Sequence, residues 1–160
     1  MRYSWMDIAE GERGVKEIAG ASAHPSIVAY HATTSLKATS DEVPWCSSFV
    51  NWVMKQAKYP YTKSAAARSW RDWGVECSLH EGAIVVFRRK GGHHVGFCVG
   101  ETSTMIRVLG GNQSNEVNIR NYRKTDLLSV RVPARLNKTD QSLWDLRIMG
   151  QAQAATKGII

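Results

Sequence analysis

Three side chains of the kinds that together perform acyl transfer lie along this chain: Cys46, His94 and Asn112. Cys46 follows Asp41-Glu42-Val43-Pro44-Trp45 and opens a run in which Cys46, Phe49, Val50, Val53 and Ala57 recur at helical spacing. Pro44 suits a helix entrance, and Ser40 or Asp41 can supply the turn or cap before it. A thiol in a first helical turn meets unpaired backbone N–H groups and the positive end of the helix dipole. Both stabilise the thiolate, which is the nucleophilic form. A histidine opening a β-strand can take the thiol proton, and a polar residue on the next strand can hold the imidazole ring and its tautomer. Here the histidine is His93 or His94 and the third member is Asn112. Strand alternation places 94, 96, 98 and 100 on one face, and Ile106, Val108, Gly110 and Asn112 on one face of the next strand. It sends Gln113, a lesser candidate for the third role, to the other face. Gly96, Gly110 and Gly111 are expected to leave open backbone where a substrate chain approaches.

Helices come first in the elements that must position these residues. Ser4 is a capable N-cap for an apolar face at Trp5, Ile8 and Ala9, and a half-broken helix is expected at Val15, Ile18 and Ala19. Pro25 sits in the first turn of another short helix over residues 25–31, with His24 and His31 read as surface or capping residues. The Cys46 helix should stop near Lys58, because Tyr59-Pro60-Tyr61 cannot continue it. A further helix is expected over residues 65–73, closed by Gly74, with Trp70 and Trp73 on one face as core packing or as an aromatic cleft rim. Short β-branched runs follow at 82–88, 94–100, 104–110, 116–119 and 127–132. Helices followed by a meandering antiparallel sheet define an α+β domain over residues 1–134. Residues 135–160 form a tail, with one short helix around Leu143–Met149 and a frayed end.

At 160 residues with 43% apolar composition the chain is long enough for one self-sufficient core. Three cysteines, Cys46, Cys77 and Cys98, argue against a disulfide framework and leave thiols free for chemistry. No run approaches signal-peptide or membrane-span character, so the expectation is a product made in the cytoplasm without Sec export. The 21 basic and 14 acidic residues give a formal charge of +7, which favours an anionic partner such as nucleic acid or a cell envelope. The tight run Arg88-Arg89-Lys90 precedes Gly91-Gly92 and reads as a solvated turn. Cys77, His80, His94 and Cys98 superficially resemble a zinc framework. Four residue steps along a strand separate His94 from Cys98 by roughly 13 Å, too far to share one ion, so no metal and no cofactor are expected.

The motifs Asp41-Glu-Val-Pro-Trp-Cys46, Ala67-Arg-Ser-Trp70, Trp73-Gly74, Gly82-Ala-Ile-Val-Val-Phe87, His94-Val-Gly-Phe-Cys-Val-Gly100, Val108-Leu-Gly-Gly-Asn-Gln-Ser114 and Val117-Asn-Ile119 run in one order over about residues 5 to 133. In these the chain resembles the NlpC-type and CHAP-type papain-like peptidoglycan hydrolases, and within them the compact single-domain group of phages and prophages. The resemblance implies a papain-like α+β fold, Cys46 as nucleophile, His94 as base and Asn112 as its orienting residue. His94 is preferred to His93 because it directly precedes Val95-Gly96, as the family's histidine does. Trp45, Trp70, Gly111 and Gln113 are the expected substrate-binding residues, and Tyr30 is a speculative oxyanion donor.

The implied substrate is peptidoglycan, cut at an amide bond by an endopeptidase or an N-acetylmuramoyl-L-alanine amidase. A monomer is expected, acting on the wall as an endolysin after holin-type release or as a virion-associated lysin, with its basic surface drawn to an anionic envelope. A non-catalytic wall-binding or nucleic-acid module is the competing class, and an acyltransferase would use the same fold. No nucleic-acid partner is expected: no RRM, zinc-finger or helix-turn-helix pattern is present, and the aromatics cluster in the helical half.

Overall fold

A computed structural model describes residues 1–20, 23–40 and 43–159, with the side chains of 151–159 excluded. Three helices precede the sheet: α1 (Ser4–Gly11), α2 (Pro25–His31) and α3 (Cys46–Gln56). Six strands follow, β1 (Val75–Glu76), β2 (Ile84–Arg89), β3 (Gly92–Glu101), β4 (Met105–Gly110), β5 (Asn118–Arg123) and β6 (Leu127–Val132), and α4 (Lys138–Ile159) ends the chain. The sheet is antiparallel in the order β1-β6-β2-β3-β4-β5, which puts β3 near its middle. The fold is α+β, helices first and an antiparallel sheet second, as the sequence pattern predicts. Among the described residues no helix is both long and apolar enough to cross a membrane.

Each face of the sheet carries its own cluster, as period-two alternation requires. Ile84, Val86, Val95, Phe97 and Leu109 meet Phe49, Val50 and Val53 of α3, together with Trp5, Met6, Tyr30, Trp45 and Trp70. Ala83, Val85, Phe87, Cys98, Ile106, Val108 and Val130 form the other cluster, against which Tyr122 and Trp144 pack. At about 25 cal/mol per Å² of apolar surface removed from water, a core with this many fully buried aromatics dominates the stability.

Several local expectations change in three dimensions. Residues 15–19 are not helical: Gly14 takes φ +96°, and Lys16 bridges to Glu116 in extended geometry. The helix expected over 65–73 shrinks to a 3-10 turn, Ala67–Trp70, because the preceding segment is held by α3 instead of by its own ladder. His24 does cap α2, its Nδ1 accepting from the Ser26 N–H. His31 is fully buried, hydrogen-bonded to Ser48, rather than lying at the surface. The cap position of α3 is Trp45, without a side-chain cap bond, while Asp41 lies outside the described residues.

The tail helix is longer than expected, since Gln, Ala and Lys propagate a helix well. Its first turns pack on the body. Asp140 is 1% exposed and accepts hydrogen bonds from the Ser4 N–H, the Ser4 hydroxyl and the Tyr59 hydroxyl. Leu143 enters the core, and Trp144 stands edge-on to His80. Replacing Asp140 with Ala removes a buried carboxylate and strands three donors. Chemical denaturation should show a loss of about 3 kcal/mol.

Candidate active site

Cys46 begins α3, so its own N–H and those of Ser47 and Ser48 lie in the first turn, where no carbonyl of the preceding turn is available. The sulfur sits beside the middle of the sheet. The recorded β3–β4 pairing ends at Phe97 and Leu109, and the backbone N–H of Val95, beyond that point, is directed at the Cys46 sulfur. Burial pushes the thiol pKa up, while hydrogen bonds from the Val95 and Ser47 N–H groups, the positive charge of Arg89 and the N–H of Cys46 oppose it. The resting side chain is therefore a thiol in a setting that favours the thiolate once water's role is replaced by fixed N–H dipoles.

His94 is the residue immediately before Val95 and is 1% exposed. Its Nε2 stands 2.9 Å from Oε1 of Gln113. The Gln113 amide can face His94 only through its oxygen, because its nitrogen donates to the carbonyls of Val108 at 3.1 Å and Asn118 at 2.8 Å. His94 Nε2 must then carry the proton and donate it. That tautomer leaves Nδ1 as the basic lone pair, and Nδ1 has no hydrogen-bond partner among the described residues. Tyr122 stacks on the imidazole at 4.9 Å between centroids and 15° between planes, and Phe87 stacks behind Tyr122 at 5.0 Å. Burial drives the His94 pKa down to about 4, against the Gln113 hydrogen bond, which raises it; Arg89 lowers it further. Thiol and imidazole are both neutral at rest.

Beside them opens a cleft of about 370 Å³ lined by Pro44, Cys46, residues 65–68, residues 89–93 and Asn112. One wall is the segment before the 3-10 turn. It is fastened to α3 by a buried network: Ser47 donates to the Ser64 carbonyl at 2.7 Å, Asn51 Nδ2 donates to the same carbonyl at 3.0 Å, and the Lys63 N–H donates to Asn51 Oδ1 at 2.9 Å. Trp70 Nε1 closes it by donating to the Ser47 hydroxyl at 3.0 Å. The opposite wall is the tip of the β2–β3 hairpin, closed by the Arg89–Gly92 pair.

Residues 38–112 match the CHAP domain family. The matched segment is just under half of the chain. No curated protein matches the sequence. CHAP domains are in general cysteine- and histidine-dependent peptidoglycan hydrolases, and the match points to that chemistry. Cys46 and His94 both lie inside the matched segment, and Asn112 is its last residue.

The structure revises the expected supporting roles around Cys46 and His94. Gln113, not Asn112, is the hydrogen-bond partner of His94. Alternation fails because Asn112 has φ +55°, a left-handed conformation that re-aims the following side chain, and Asn112 itself lines the cleft with Cys46. His93 also lines the cleft, half-buried, while the buried ring is that of His94. Trp45 and Trp70 are fully buried and so offer no substrate surface; their indole N–H groups go to Glu17 and Ser47. Gln113 is 3% exposed and is likewise no substrate contact. Gly111 is closed off by protein: a Cβ there would lie 2.7 Å from Cβ of Phe49 and 2.8 Å from the Trp45 ring. Gly110 faces Gln113 and His94, and Gly96 faces Val108, so none of the three glycines is open to a substrate chain. Tyr30 is fully buried and donates to Glu12 at 2.7 Å instead of reaching an oxyanion site.

Gln113, Tyr122 and the Ser47–Asn51 pair went unassigned or under-weighted from sequence. The signal for Gln113 was its place beside two glycines and an asparagine, a turn composition in which alternation is a poor guide.

Gln113 and the buried His94 each lead to a measurable outcome. Gln113→Leu should lower kcat by at least roughly 100-fold while circular dichroism stays native-like, because the imidazole loses its tautomer lock. Stability should also depend on pH through His94. Its folded pKa of about 4 lies below the unfolded value, so the contribution is complete above about pH 6.5 and disappears as pH falls toward 4. The amplitude is about 3 kcal/mol, and a His94→Leu variant should lose that component of the unfolding free energy's pH profile.

Proposed function

We propose that this protein is a cysteine-dependent peptidoglycan hydrolase that cuts an amide bond in or next to the stem peptide, as an endopeptidase or an N-acetylmuramoyl-L-alanine amidase. The observation that carries the reading is a helix-start thiol lining a cleft, with a buried, tautomer-locked imidazole on the strand beside it. In this mechanism the Cys46 proton passes to His94 Nδ1 as the sulfur attacks the carbonyl carbon. The oxyanion gathers at the first-turn N–H groups of α3, which are fixed before substrate arrives. His94 then returns the proton to the leaving amine as the C–N bond breaks, and a thioester remains on Cys46. Water, deprotonated by His94, hydrolyses the thioester and restores the thiol.

The neutral resting pair supports this order of events. With the thiol pKa raised and the imidazole pKa lowered, charge separation develops at attack, when the oxyanion and the N–H dipoles can compensate it. A non-catalytic wall binder would have no use for a buried imidazole held in one tautomer. An endolysin is the biological setting we favour, since a compact basic catalytic domain suits an anionic envelope.

Digestion of purified sacculi by the wild type and by Cys46→Ala, with mass spectrometry of the released fragments, tests the reading. The wild type should release soluble fragments and Cys46→Ala should be slower by at least about 1000-fold. New amino termini within the peptides identify an endopeptidase, and free lactyl-peptides an amidase. Equal release by the two proteins would remove Cys46 from the mechanism.

A further inference from the structure

The cleft beside Cys46 is cationic. Arg68 stands on one wall and Arg89 and Lys90 on the other, and among the described residues no aspartate or glutamate lines it. All three are exposed. Elsewhere several arginines are neutralised: Arg2 pairs with Asp7, Arg13 with Glu10, Arg123 with Asp126 and Arg131 with Asp72. The contrast is sharpest within one tripeptide. Arg88 points away, donating to the Thr125 carbonyl at 2.6 Å and pairing with Asp126 at 3.6 Å. Arg89, one residue on and so on the opposite face of β2, lines the cleft, and among the described residues neither it nor Arg68 nor Lys90 has an ion pair.

We infer that Arg68 and Arg89, with Lys90 beside them, are specificity-determining residues that bind a free carboxylate of the stem peptide next to the amide being cut. The inference rests on the hydrolase reading and names what that hydrolase selects. Two guanidiniums lining one cleft supply planar donor forks, the groups that recognise carboxylates in a bidentate manner. Placement beside the nucleophile adds a catalytic consequence. The charge of Arg89 opposes protonation of His94, so an unoccupied cleft resists the proton transfer that attack requires. A carboxylate seated on Arg89 cancels that opposition when the correct substrate is in place.

The test uses synthetic stem peptides on a disaccharide, with the α-, side-chain and C-terminal carboxyls amidated one at a time. One of the three amidations should lower the wild-type kcat/KM by about 10- to 100-fold, the loss expected when a charged hydrogen-bonded partner is removed, and so identifies the carboxylate. Arg89→Gln and Arg68→Gln should bring the ratio of free to amidated substrate to within about threefold of unity, and Arg89→Lys should keep most of it. Wild-type indifference to all three amidations, or a preference unchanged in both glutamine variants, overturns the assignment.

A second readout needs no hydrolysis. Alkylation of Cys46, followed by peptide mass spectrometry so that Cys77 and Cys98 are scored separately, compares iodoacetate with iodoacetamide. Relative to a free cysteine in the same buffer, Cys46 should favour iodoacetate. That bias should shrink in Arg89→Gln and as salt is raised. A ratio no higher than that of free cysteine overturns the cationic selection. A retained bias in a protein that leaves sacculi and stem peptides untouched would support the anion-selecting cleft and reject the hydrolase reading.

Discussion

The architecture of the site depends on how closely the start of α3 can approach the end of β4. Trp45 and Phe49 close on residue 111 from the helix side, and a single added carbon there would sit 2.7 to 2.9 Å from their atoms. Real carbon contacts do not come so near, so only glycine permits the helix to seat at this depth. Once seated, Cys46 stands against the Val95 N–H in the middle of a sheet, where strands on both sides restrict movement. The thiol is positioned by backbone packing. The His94 imidazole, by contrast, is positioned by hydrogen bonding and stacking, with Gln113 on one side and Tyr122 over its face.

These two modes of positioning explain what could be read from the sequence. The apolar period beginning at Cys46 marks α3 correctly, and its end near Lys58 follows from Pro60; the structure places it at Gln56. The β-branched runs locate five strands to within a few residues, and so the α+β architecture, because burial on alternate faces imposes its period on side-chain type. Gln113 escaped for the opposite reason. After Gly110 the chain leaves the ladder, and positive φ at Asn112, Ser114 and Asn115 makes side-chain direction depend on turn geometry, which no periodicity encodes. Helical spacing fits Trp70 to a core or to a cleft rim, and the structure buries both Trp45 and Trp70 completely. Their indole N–H groups have internal acceptors, Glu17 and Ser47, and this satisfies the cost of burying them. The two acceptors are distant in sequence, at separations of 28 and 23 residues, so no local pattern announces them.

Electrostatics unites the pair with its surroundings. Burial moves Cys46 and His94 in opposite senses, and both movements favour the uncharged forms. The same burial that makes separated charge unfavourable at rest also strengthens each N–H dipole directed at the sulfur, because little water is present to screen it. Thus the low local dielectric both silences the site and prepares it. Tyr122, whose own pKa is pushed up to about 12 by burial, remains a neutral ring against the imidazole throughout ordinary pH.

The fastening of residues 62–66 to α3 has a consequence for how the cleft receives a chain. Short irregular segments beside active sites commonly lose conformational freedom when a ligand arrives, and that loss is deducted from affinity. Here the Asn51 amide, the Ser47 hydroxyl and the Trp70 indole already hold the wall through its main-chain groups. Its entropy was surrendered during folding. A ligand entering the cleft therefore meets one wall already ordered, and along that wall the ordering that accompanies binding falls on the ligand.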